Sequence, residues 1–137
     1  EMGYVLTELS RAYLLKGEVH DAVGAAEQSL SELGPEAALE RARAATALAA
    51  ALAAGGERDR AAELFTTAAE TLSQMNTSRQ AARAWVELGE MLVQAGDAVS
   101  AVNAFRKATA AMNLGAAPSN AGGSDVERAL ATNAEQD

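Results

Sequence analysis

Apolar positions recur every three or four residues along most of the first 115 residues, and glycine or proline interrupts that rhythm at regular places. This pattern predicts six helices. The first covers 2–16 and stops at Gly17, and the second covers 19–33 and stops at Gly34-Pro35. Proline suits the first helical position, so Pro35 is expected to open the third helix, which runs to Ala54 before Gly55-Gly56. The fourth covers 58–75. Thr77-x-x-Gln80 reads as a capping box that opens the fifth, which ends at Gly96, and Asp97 caps a sixth that reaches Asn113.

The six helices fall into three pairs that share one residue spacing. The clearest copy is Trp85-x2-Leu88-Gly89-x2-Leu92, then Gly96, Ala101-x3-Phe105 and Ala108. The copy before it reads Ala45-x2-Leu48-Ala49-x2-Leu52, Gly56, Ala61-x3-Phe65 and Ala68. The first reads Leu6-x2-Leu9-Ser10-x2-Tyr13, Gly17 and Ala22-x3-Ala26, with serine and alanine where the third copy has glycine and phenylalanine. The small residues mark places where helices cross closely. Leu48, Leu52, Leu88 and Leu92 are expected to fill the space within a pair, Phe65 and Phe105 to wedge against the next pair, and Trp85 to anchor the third.

This pattern resembles the tetratricopeptide repeat, whose consensus is W-x2-L-G-x2-Y…A-x3-F…P. The third copy lacks only the tyrosine, replaced by Leu92, and the closing proline, where Asn113 stands. The repeats, about 3–36, 42–75 and 82–115, are longer than the ~34 residues of the usual unit. Ala22 to Ala61 is 39 residues and Phe65 to Phe105 is 40, with the extra residues read as added turns on the first helices of the later pairs.

The resemblance implies an all-α, right-handed α-solenoid of three antiparallel helix pairs over residues 1–115. It also implies a binding groove on the concave surface, lined by the first helix of each pair. Transferred by spacing, the first pair contributes Tyr4, Thr7, Glu8, Arg11 and Leu15. The second contributes Arg43, Thr46, Ala47, Ala50 and Ala54, and the third Arg83, Val86, Glu87, Glu90 and Gln94. Chaperone-binding relatives grip a peptide's terminal carboxylate with a clamp of lysine, asparagine and arginine. The matching positions here are Thr7, Arg11, Ala47, Arg83 and Glu87, and a glutamate there argues against that activity. What remains is an alanine-floored groove with a few arginines, suited to an inserted helix or an extended peptide. Arg43 and Arg83 stand at equivalent positions, either to meet an acidic partner or to pair with neighbouring glutamates.

After Leu114 the composition turns to glycine, alanine, serine and proline, a flexible linker over 116–124. Ser124-x-x-Glu127 then introduces a short segment, 125–137, with Val126 and Leu130 one turn apart. It would be a C-terminal capping helix for the last pair or a disordered tail.

About a quarter of the residues are alanine, the strongest helix former, which agrees with an all-helical chain. The net charge of −8 disfavours direct contact with nucleic acid or an anionic membrane. The charge is uneven, at −5 over residues 1–36, −1 over 37–77, +1 over 78–115 and −3 over 116–137. The third pair is therefore where an acidic partner would sit most easily. Cysteine is absent, which removes disulfides and thiolate metal sites and fits a cytoplasmic protein. No apolar run reaches the ~18 residues of a membrane span. Arginine outnumbers lysine amid the alanine, in keeping with a GC-rich bacterial coding sequence.

Catalytic constellations are missing from the sequence, and neither an enzymatic reaction nor a cofactor is expected. The only histidine, His20, stands at a helix start as a solvated residue; Glu87 and Glu90, one turn apart, lack further ligands for a cation. The sequence thus reads as a protein–protein interaction scaffold. Its first helix and its C-terminal edge are also candidate surfaces for a homo-oligomer. The alternative is the peptide-sensing or dimerisation domain of a bacterial helix-turn-helix transcriptional regulator. It is motivated by the uncapped start at Glu1-Met2, from which more chain is expected upstream.

Overall fold

The computed structural model describes residues 2–116; Ala116, expected to open the linker, closes the last helix instead, and the rest of the expected linker and the terminal segment lie outside the described residues. Those described residues are all-helical, with no strand. The six helices are α1 (Met2–Leu15), α2 (Val19–Glu32), α3 (Ala38–Ala54), α4 (Arg58–Gln74), α5 (Ser78–Gln94) and α6 (Ala98–Ala116). Each helix packs on its neighbours in sequence, and α1 also packs against α3. The starts of α3 and α5, and of α4 and α6, are 40 residues apart, so the second and third pairs are in register. The lengthening is shared by both helices of a pair: α4 has 17 residues where α2 has 14.

Four of the five connections are one and the same turn. In each, the backbone N–H of the residue that closes the turn reaches back to a carbonyl in the last turn of the helix: Glu18 to Tyr13, Glu57 to Leu52, Thr77 to Leu72 and Asp97 to Leu92, at 2.9–3.1 Å. This is the Schellman arrangement, and it needs a left-handed residue just before that N–H. Gly17, Gly56 and Gly96 supply it, and Asn76 does so in the fourth turn, at φ 59°.

Two helix starts differ from those the sequence predicts. Pro35 does not open α3; it sits in a turn closed by the Ala37 N–H on the Gly34 carbonyl at 3.1 Å, and α3 begins at Ala38. Proline's fixed φ suits the second position of such a turn as well as it suits a helix start. Arg41, one turn into α3, then donates from Nη1 to the carbonyls of Leu30 and Leu33 at 3.0 and 2.7 Å, satisfying the end of α2. The capping box at Thr77 is likewise not formed. Its hydroxyl donates backwards to the Leu72 carbonyl at 2.6 Å instead of receiving a bond from α5. Asp97 does cap α6, its Oδ1 accepting from the Ser100 N–H at 3.1 Å.

The core is mostly alanine, with Leu48, Leu52, Phe65, Leu72, Trp85, Leu88 and Met91 as its large members. Alanine lets the backbones approach, so the few large side chains carry most of the buried apolar area. Among the described residues no pair follows α6 for Phe105 to wedge against. Its ring lies on Gly89 of α5, where an added Cβ would come within 2.7 Å of it, so Gly89 makes room inside its own pair. The first pair, which has no such phenylalanine, is held by hydroxyls. Ser10 donates to the Ala22 carbonyl at 2.7 Å, Ser29 donates to the Gly3 carbonyl at 2.7 Å, and the Thr7 and Ser29 hydroxyl oxygens lie 2.9 Å apart. All three side chains are buried, where a paired hydroxyl stabilises and an unpaired one would cost.

Candidate functional site

The first helices of the three pairs meet along one polar seam. Helical spacing puts Glu8 and Arg11 of α1, Arg43 and Thr46 of α3, and Arg83 and Glu87 of α5 on the sides that face it. Arg11 crosses the seam. Its Nη2 donates to Thr46 Oγ1 at 3.0 Å, and its Nη1 lies 3.6 Å from Glu87 Oε1, so one guanidinium touches both other helices. Arg83 Nε lies 3.7 Å from the other Glu87 oxygen, one turn along α5. Arg43 pairs with Glu8 at 3.5 Å and sits 5.6 Å from the centre of the Tyr4 ring, a cation–π arrangement.

Two clefts open along this seam. Arg11, Arg43, Thr46, Gln80, Arg83 and Glu87 line one of about 210 Å³, floored by Leu72 and Ala84. Ala50, Ala54, Arg58, Glu90 and Gln94 line the other, of about 260 Å³, floored by Phe65 and Met91. Glu87 borders both. Nine of the fifteen groove residues expected from the sequence therefore come together here: Arg11, Arg43, Thr46, Ala50, Ala54, Arg83, Glu87, Glu90 and Gln94.

Four of the others go elsewhere. Thr7 and Ala47 are buried in helix packing, Thr7 through its hydroxyl contact with Ser29, and Val86 is half-buried against the core. Tyr4 lines a separate hollow with Leu33, Ala37 and Glu40. Two further residues offered by spacing also differ: Leu15 is exposed, while Glu8 takes part in the seam only through Arg43.

The first cleft is an inversion of the chain's overall charge. Among the described residues three guanidiniums border it against a single lining carboxylate, in a chain whose net charge is −8. That carboxylate is perturbed. Burial pushes the Glu87 pKa up; the Arg11 and then Arg83 charges pull it down without cancelling the effect, and Glu90 adds a small upward push. The folded state therefore binds more protons than the unfolded chain between the ordinary glutamate value and the raised one. Stability contributed by protonated Glu87 is present below that interval and is lost as pH rises through it. Glu87→Gln is expected to flatten this part of the stability–pH curve, measured by urea unfolding at successive pH values from the carboxylate range to neutrality. An unchanged slope would place the coupling on another group.

Two features escaped the sequence reading. The first is the Arg11–Glu87 contact: its partners lie 76 residues apart, and no local pattern signals such a pairing. The second is an apolar cleft of about 400 Å³ between α2, α3 and α4, lined by Leu30, Pro35, Ala42, Ala45, Leu64 and Ala68. Pro35, in the turn between α2 and α3, stands at its edge. Among the described residues no group of three or more histidine, aspartate or glutamate side chains is placed to hold a metal ion. Nor is any described helix long and apolar enough to cross a membrane. Neither a protein-family model nor a curated protein matches the chain.

Proposed function

We propose that the six helices form a right-handed stack of three tetratricopeptide-like pairs, and that the seam between α1, α3 and α5 binds a peptide or a partner protein. The single observation that carries the binding role is the basic cleft of Arg11, Arg43 and Arg83 in an otherwise acidic chain. An acidic segment entering the cleft would share these arginines with Glu8 and Glu87, which now face them, and complementary charge raises the rate of encounter as well as the specificity. The alanine-walled second cleft gives the same segment room for apolar side chains. The packing of consecutive helices, the shared turn and the register of the second and third pairs support the stacked arrangement. A peptide-sensing domain of a transcriptional regulator would use the same seam.

The test begins with peptides selected from a random displayed library against the chain. They are expected to be acidic, to shift backbone amide resonances of α1, α3 and α5, and to bind at least ~10-fold more weakly to Arg43→Glu/Arg83→Glu. Both arginines are substantially exposed, so the double variant should keep its fold, as checked by circular dichroism. Resonance shifts confined to α2 and α4 would move the site to the cleft beside Pro35 and overturn the proposal.

A further inference from the structure

The second helix of the last pair shows a face that its counterpart buries. With the 40-residue offset, Phe65, Ala69 and Leu72 of α4 correspond to Phe105, Thr109 and Met112 of α6, and Ala62 corresponds to Val102. On α4, Phe65, Ala69 and Leu72 are almost wholly inaccessible, at 2%, 0% and 2% exposure, where α5 packs over that helix. On α6, Val102 and Met112 are 51% and 48% exposed, Thr109 is exposed and Phe105 is half-buried. These positions succeed one another at steps of three and four, so they form one stripe along α6, with exposed Val99 beside its start.

We propose that residues 125–137 of this same chain dock along that stripe, with Val126 and Leu130 as the apolar contacts. Three observations select this occupant. Length is the first. Residues 117–124 can span roughly 26–29 Å when extended, ample for the chain to turn back over the end of α6. A thirteen-residue helix is about 20 Å long, which matches the run from Val99 to Met112. Charge is the second. From Ala98 to Ala116, α6 contains Arg106 and Lys107 and no acidic residue, whereas 125–137 contains Asp125, Glu127, Glu135 and Asp137 against one arginine. Lys107 is drawn toward the Trp85 ring, 4.8 Å from its centre, and Arg106 is exposed to meet the acidic segment. Sequence pattern is the third: Val126 and Leu130 recur at the interval that puts two side chains on one side of a helix. A second copy of the chain on this stripe would instead set Arg106 against Arg106, so the segment's own charge favours the intramolecular contact.

The absence of cysteine makes the test clean, because a single introduced thiol is a unique label site. In the full chain, Ala134→Cys carrying a nitroxide is expected to broaden the resonances of Val99, Val102 and Met112 and to leave those of α2 intact. Adding Val126→Asp and Leu130→Asp should restore the broadened signals, since the tether remains but the apolar contact is gone. Mixing labelled chain with isotope-enriched unlabelled chain should leave the α6 signals sharp. Absence of localised broadening overturns the proposal. So does broadening that survives the two aspartates, which would reflect tethering alone, and so does broadening that transfers in the mixed sample, which would assign the stripe to a second copy.

Discussion

Trp85→Ala is expected to lower the free energy of unfolding by about 3–5 kcal/mol, the largest single effect among the substitutions considered. Trp85 is only 6% exposed and belongs to a core in which most other members are alanine. Alanine side chains cannot swing into a vacated space, so the cavity would stay open and the full cost of lost burial and lost contact would be felt. The substitution also removes the ring that Lys107 covers from α6, loosening the contact between the two helices of the third pair. Urea unfolding followed by circular dichroism measures the change, because the only tryptophan is the residue removed. A loss below about 1 kcal/mol would mean that the ring is not part of the core, since surface substitutions rarely cost more.

Gly89→Leu is expected to cost about 1–3 kcal/mol by overpacking. Helix interiors usually gain when glycine is replaced, by roughly 0.5–1 kcal/mol on going to alanine, so a loss here has a specific cause. That cause is the Phe105 ring, whose atoms would lie 2.7 Å from the new Cβ. Phe105→Ala should therefore relieve the clash, leaving space that the leucine can enter. The double variant is expected to be more stable than the sum of the two single losses by at least ~0.5 kcal/mol, the scale of coupling between touching residues. Strict additivity in the unfolding measurements would show that Gly89 and Phe105 do not meet.

The helices were legible because their ends are marked by chemistry that acts locally. Gly17, Gly56 and Gly96 each supply the one left-handed residue that a Schellman turn requires, and that requirement does not depend on the rest of the fold. Asn76 performs the same task less conspicuously, and the hydroxyl beside it suggests a capping box that Thr77 does not make. Pro35 is ambiguous for a related reason: a fixed φ suits both a helix start and a tight turn, and only the position of Arg41 against α2 decides between them.

The site was legible in outline only. Periodicity says which residues share a side of a helix, but Thr7 and Arg11 share one and still part company, one hydroxyl facing Ser29 of α2 and one guanidinium reaching Thr46 of α3. Which of two neighbouring helices a side chain meets depends on the crossing of the backbones, and no spacing within α1 encodes that. Glu87 showed the same limit. By position it would repel a carboxylate, but with Arg11 and Arg83 on either side it acts as an internal counter-ion for the cleft.

The joint between α2 and α3 also bears on the order in which the chain assembles. Every Schellman turn closes within five residues, through bonds local to the end of its own helix. The end of α2 is different: its Leu30 and Leu33 carbonyls wait for a side chain at position 41. At ~5–20 residues per second, the stretch from Leu33 to Arg41 takes on the order of a second to synthesise. During that interval α3 offers the end of α2 no partner, and the bonds open to α1 and α2 are those they make with each other. The first turn of α3, carrying one guanidinium, then ties the end of α2 to the helix that follows it.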